Sequence, residues 1–207
     1  MAQLSVSHHP VVQDKLATLR AQDTPPDIFR KLIYELSLLL GVEATADLGI
    51  GPVEVQTPLQ KFSAQQLTES VALVPILRAG LGMVDGLSAL LPLAPVRHLG
   101  FYRNEETLQP VAYYANTPES HCEDLCLVLD PMLATGGSAI AALDQVKEWG
   151  PKRLKFLAIV GAPEGVDALR SAHPDVDLHL CVLDEKLNSK GYILPGLGDA
   201  GDRLYHT

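Results

Sequence analysis

One segment limits the fold more than any other: Leu125-Cys126-Leu127-Val128-Leu129-Asp130-Pro131-Met132-Leu133-Ala134-Thr135-Gly136-Gly137-Ser138. Five apolar residues in a row, ended by an acid, describe a strand buried on both faces. Such strands belong to parallel sheets covered by helices. The chain must then turn through Thr-Gly-Gly-Ser and enter a helix, read over residues 137–149 from the spacing of Ile140, Leu143 and Val146. The same alternation runs through most of the chain. Strands are expected over 71–75, 96–102, 111–114, 125–129, 156–160 and 176–183. Helices are expected over 80–91, 137–149 and 163–172, the last with Pro163 in its first turn. The sum is an α/β fold with a mainly parallel central sheet.

Ahead of this lie two helices, over 11–20 and 28–40, the second ended by Gly41. An alternating stretch, Val53 to Thr57, predicts a short strand in a small appended lobe. The tail from Lys190 holds Gly191, Gly196, Gly198 and Gly201 and fits no regular element, so an extended loop is expected there.

Charge and composition narrow the function. Sixteen Lys and Arg stand against 25 Asp and Glu, a formal net charge of -9. That field opposes a broad nucleic-acid or anionic-membrane surface, so neither nucleic acid nor membrane is an expected partner. No apolar run reaches spanning length and the N-terminus lacks a signal-peptide pattern, so a soluble, cytoplasmic protein is expected. Cys122, Cys126 and Cys181 form no paired framework. Cys122 and Cys126 lack the second pair that a zinc site of this type needs.

Three loops carry the chemistry. In parallel sheets ligands sit beyond the carboxyl ends of the strands. Gly136 and Gly137 let backbone N–H groups turn around an anion, Thr135 and Ser138 add hydroxyls, and the following helix points its N-terminus at the same place. This describes a pocket for one phosphate monoester, with Asp130 placed to accept from sugar hydroxyls. A tight turn capped by Ser138 is the plain alternative. Arg78, at the end of the strand over 71–75, offers a charged fork suited to a diphosphate, and Gly80 allows close approach. A surface arginine is the plain alternative. Arg103 stands at another strand end, where an ordinary hairpin turn also accounts for the pattern. The tail offers backbone donors and acceptors that suit the edge of a flat heterocycle, with Asp199 beside it. His121, His173 and His179 fall outside these loops.

Taken together these residues resemble the uracil phosphoribosyltransferase family of bacteria. The family's Tyr-Glu-Ala-Thr-Ala-Asp-Leu matches Val42-Glu43-Ala44-Thr45-Ala46-Asp47-Leu48 with valine for tyrosine. Residues 75–83, 102–108, 129–138 and 191–203 are similar to family motifs nearly residue for residue. The tail motif is specific to the uracil branch, while the Asp130 loop marks the wider phosphoribosyltransferase class.

The resemblance implies one phosphoribosyltransferase-like domain over 1–207, with the N-terminal helices and residues 184–207 as appendages or a hood. It implies that uracil and 5-phosphoribosyl 1-diphosphate (PRPP) give UMP and diphosphate. PRPP would be bound by Arg78, Arg103, Asp130, Pro131, Met132, Leu133, Ala134, Thr135, Gly136, Gly137, Ser138 and Asp199. Uracil would be bound by Ile193, Gly198, Asp199 and Ala200, and Arg78, Arg103 and Asp199 would serve catalysis. Mg²⁺ would arrive on PRPP with no protein ligand, since Pro131 stands where many phosphoribosyltransferases carry a second acid. A homodimer or higher homo-oligomer and a GTP activator are also implied. The competing readings are an RNA-binding pyrimidine regulator on the same fold and a phosphoribosyltransferase for another base.

Overall fold

In the computed structural model the described residues are 2–103, 110–119 and 121–207, with side chains for all of these except Tyr102, Arg103 and Pro110. The main sheet follows the order β1 (Leu4–Val6), β10 (Asp177–Leu183), β9 (Arg153–Gly161), β7 (Leu125–Leu129), β4 (Val71–Leu77), β5 (Leu99–Arg103) and β6 (Pro110–Ala115). A short β8 (Met132–Leu133) joins β9 beyond the end of β7. These pairings are parallel except that of β5 with β6.

Side-chain alternation in β7 shows why the sheet needs two covers. Leu125, Leu127 and Leu129 enter one apolar cluster with Leu16 of α1 (Pro10–Arg20), Leu36 of α2 (Pro26–Ala44) and Leu87 of α3 (Leu81–Leu90). Cys126 and Val128 point the other way, toward Leu143 of α4 (Gly137–Glu148) and Leu169 of α5 (Pro163–Ala172). The expected α/β architecture with a mainly parallel sheet is therefore the observed one.

Two local expectations are corrected and a third is extended. Helix α2 runs on through Gly41 to Ala44. Gly41 is there for packing: a Cβ would sit 2.5 Å from Leu87 Cδ2, so α2 and α3 touch at this point. The strand expected at Val53 to Thr57 is half of a hairpin, β2 (Ile50–Gln56) against β3 (Lys61–Leu67), outside the main sheet. The tail also holds regular structure. A two-residue ladder joins β11 (Lys186–Leu187) to β12 (Ile193–Leu194), and Ala200–Tyr205 forms α6. Asp199 is the N-cap of α6, its Oδ1 accepting from the Asp202 N–H at 2.9 Å. Leu197, Ala200 and Leu204 anchor this end in the core.

Candidate active site

The carboxyl ends of β4 and β7 lie side by side, with Pro75 opposite Leu129. Arg78 and Asp130 therefore leave the sheet from adjacent strands. Their loops abut: a Cβ on Gly80 would lie 2.4 Å from the Leu129 carbonyl oxygen, so only glycine permits this approach. The Leu77–Arg78 peptide is cis. Arg78 is exposed, and its guanidinium makes no ion pair among the described residues.

The Asp130 loop is stitched down on its inner side. The Pro131 carbonyl accepts from the N–H groups of Ile159 and Val160 at 3.1 and 3.0 Å, and the Leu133 carbonyl from Ala162 at 2.9 Å. Pro131 and Leu133 are buried, and Thr135 and Ser138 stay exposed. Gly136 takes φ 84° as the N-cap of α4 and brings no side-chain acceptor to the helix start. The left-handed φ and the Gly165 carbonyl, 3.1 Å from where a Cβ would be, together require glycine there. At Gly137 a Cβ would meet nothing nearer than Thr135 Oγ1 at 4.0 Å. The space in front of the α4 amides is open, as an anion cradle at a helix N-terminus has to be.

A cleft of ≈ 280 Å³ joins the three loops. Asp130, Met132 and Ala134 line it from the Asp130 loop, and Ala79 from the Arg78 turn. Ile193, Gly198, Asp199 and Ala200 line it from the tail, along with Gly191, Tyr192 and Gly201. All four residues expected to bind uracil thus face the same space as Asp130. Tyr192 was not singled out from the sequence, although an aromatic beside a glycine in the tail was a usable signal. Arg103 ends β5, and its side chain lies outside the described residues, so no position is assigned to it.

Asp130 is under tension. Burial pushes its carboxyl up to about 7, the Met132 N–H opposes the rise through a 3.3 Å bond, and the charge of Asp199 adds to it. Two carboxylates therefore share one cleft, both offering oxygen to sugar hydroxyls or a hard cation. The histidines play no part here. His173 is buried with Nε2 3.2 Å from the Ile140 carbonyl oxygen. His179 is buried in β10, where burial and nearby Lys155 hold its pKa down. His121 lies before the start of β7, at the opposite end of that strand from Asp130.

Side chains that sequence patterns did not single out hold the tail in shape. Arg20 meets Asp184 with two bonds, 2.6 and 2.9 Å, and donates to the Gly196 carbonyl at 2.6 Å. Arg203 donates to the carbonyls of Leu197 and Ala21 at 2.8 and 2.7 Å and stacks on Phe29. Tyr205 donates its hydroxyl to the Arg78 carbonyl at 3.0 Å. At the opposite end of β7, Cys122 and Cys126 place Sγ atoms 3.5 Å apart beside Glu123. Glu123 is already bound by Arg97, and burial pushes both thiols up, so this trio is poorly prepared to hold zinc.

Comparison with known proteins agrees with this geometry. The family model described as uracil phosphoribosyltransferase matches residues 6–207. A uracil phosphoribosyltransferase of Roseiflexus castenholzii is 56% identical over 207 residues, covering 100% of both chains. One from Streptococcus suis is 53% identical over 208 residues, again covering 100% of both. The solved AQ2163 protein of Aquifex aeolicus superposes with a TM-score of 0.93 at 40% identity, over 98% of each chain. A hypoxanthine-guanine phosphoribosyltransferase of Bacillus anthracis shares the fold at a TM-score of 0.52 and 13% identity, over 77% of this chain and 80% of that one.

Proposed function

The chain belongs to the uracil phosphoribosyltransferase family, and on that premise we propose that its cleft converts uracil and PRPP to UMP and diphosphate in pyrimidine salvage. The observation that carries the residue assignment is the meeting of three loops, each suited to a different part of the substrates, around one space.

In this reading the amides after Gly136 hold the 5-phosphate, with the Thr135 and Ser138 hydroxyls beside them. Asp130 accepts from the ribose hydroxyls. Arg78 and Arg103 hold the diphosphate. Ile193, Gly198 and Ala200 present backbone groups to the uracil edge, and Asp199 stands between base and sugar. As uracil N1 bonds to ribose C1, the bond from C1 to the diphosphate oxygen breaks and the N1 proton is lost. Positive charge grows on the ribose and negative charge on the leaving diphosphate, where the arginines meet it. Much of the rate then comes from holding two substrates in line. Asp199 spends Oδ1 on capping α6, which favours an orienting role over that of a base.

The donor set suits magnesium. Asp130 and Asp199 are hard oxygen donors whose mutual repulsion a divalent cation relieves, and two carboxylates are too few for a cage. Bound with PRPP, Mg²⁺ would neutralise charge on the diphosphate, and Asp130 and Asp199 are the carboxylates that line the cleft it would enter.

The rest of the reading follows the family. Residues 1–207 act as one domain with residues 184–207 as hood, in the cytoplasm, as a homodimer or higher homo-oligomer, with GTP as an activator. Among the described residues no helix is long and apolar enough to cross a membrane. The hairpin leaves Ile50, Val55, Leu59, Phe62 and Leu67 exposed, which supports association with a second copy. The deciding experiment gives the protein PRPP, Mg²⁺ and uracil, cytosine, hypoxanthine or adenine in turn. UMP should form, with uracil used at least about a hundredfold better than cytosine, whose amino group would oppose a backbone donor. Equal use of the bases, or a purine nucleotide as main product, would overturn the assignment.

A further inference from the structure

Gly196 is held from both sides by one ion pair. Its carbonyl accepts from Arg20 Nη1 at 2.6 Å, and its N–H donates to Asp184 Oδ2 at 2.9 Å. The two side chains are themselves joined through both carboxylate oxygens, at 2.6 and 2.9 Å. Asp184 is only 8% exposed. Gly196 sits at φ 63° in the middle of the loop, three residues after Ile193 and two before Gly198.

A buried ion pair is a poor source of net stability, because desolvation offsets most of its attraction. What it supplies is direction: a planar fork on a carboxylate fixes both partners in one geometry. Here that geometry is passed to the backbone that carries Ile193, Gly198 and Ala200. Neither Arg20 nor Asp184 lines the cleft.

We propose that Arg20 and Asp184 are positioning residues for base recognition, setting the Gly196 turn so that the flanking backbone groups meet the uracil edge. This rests on the proposed function and names residues outside the cleft that tune its selectivity. The side chains of the pair bear on the base half, since their bonds go to Gly196, whereas the Asp130 loop is anchored by the Pro131 and Leu133 carbonyls.

The test measures uracil KM, kcat, the uracil-to-cytosine ratio of kcat/KM, and PRPP affinity by calorimetry. It uses the wild type, Arg20→Met, Arg20→Lys and Asp184→Asn. Uracil KM should rise by about tenfold or more in Arg20→Met and Asp184→Asn, the loss expected from one charge-assisted bond. The preference over cytosine should fall in parallel, with PRPP affinity within about twofold of wild type. Arg20→Lys keeps the charge without the fork and should recover part of the uracil KM. It also leaves a readable variant if the others fail to fold. A folded variant with unchanged uracil KM and base preference would overturn the proposal. So would a loss of kcat and of PRPP affinity in step with the melting temperature, which marks a general structural role. Either result, with wild-type UMP synthesis intact, removes the clamp and leaves the function standing. A wild type that makes no UMP removes both.

Discussion

Tyr205 and Arg78, 127 positions apart, are joined by one hydrogen bond: the phenol donates to the arginine's backbone carbonyl at 3.0 Å. The last helix thereby touches the turn that carries Arg78, next to the Ala79 that lines the cleft. Burial raises the Tyr205 pKa and the neighbouring Arg78 charge moderates the rise, so the phenol keeps its proton at neutral pH. Tyr205→Phe removes the donor and little else. PRPP affinity should fall about threefold, with a stability change near 0.5–1 kcal/mol. Calorimetric titration with PRPP checks the first figure and thermal melting the second.

Two adjacent glycines should respond in opposite ways. Gly137→Val adds a side chain to open space, so the protein should fold with its melting temperature nearly unchanged while PRPP binding falls by at least about tenfold. Gly136→Val forces a β-branched residue into a left-handed φ against the Gly165 carbonyl, and stability itself should drop by about 2 kcal/mol or more. Melting and PRPP titration on both variants separate the cradle from its support.

Asp130 should make the ligand-free protein less stable as pH rises. Its folded pKa, about 7, lies above the ordinary carboxylate value of 3.8. The folded state therefore holds a proton that the unfolded state releases. Stability from this group is complete below pH about 4 and lost as pH climbs through about 7. Asp130→Asn removes that loss. At pH 8 the variant should melt at least about 2–4 °C above wild type, and near pH 4 the two should coincide. PRPP affinity should move the other way and weaken, as expected for a group kept in an unfavourable place for ligand binding.

Arg78→Lys keeps a positive charge and discards the fork. If the fork grips diphosphate at two points, kcat/KM should fall by about tenfold or more, taking each charge-assisted bond as about 1.5–3 kcal/mol. A steady-state assay at saturating Mg²⁺ reads this directly, and wild-type efficiency would reduce Arg78 to a point charge.

How much of this was legible depends on how local the cause is. β7 and α5 were readable to the residue, since an unbroken apolar run between Asp124 and Asp130 and a proline in the first helical turn are local causes. The Asp130 loop was readable as a strand-to-helix turn because its glycines sit between a buried strand and a helix. α6 was hidden by the glycines around it, although Asp199 three places before Asp202 was a cap signal ahead of Leu204. β3 was hidden because its residues are mostly exposed and polar, leaving no alternation to detect. Gly41 read as a stop because a packing contact with another helix leaves no mark in the local sequence. The Arg20–Asp184 pair was beyond reach for the same reason.

The anchoring of the tail to α1 also orders events during synthesis. The contacts of Arg20 with Asp184 and Gly196 span 164 and 176 positions, and that of Arg203 with Ala21 spans 182. Contacts of such separation close last, after the loop between them has been made. On the proposed function, a ribosome-bound chain that has emerged only as far as α5 carries the residues assigned to the phosphate, Gly136 and the Gly165 that packs against it among them. It still lacks the residues assigned to the base. Base selectivity would then be the final property acquired, and a nascent chain cut short by arrest would hold the residues of the sugar-phosphate half alone.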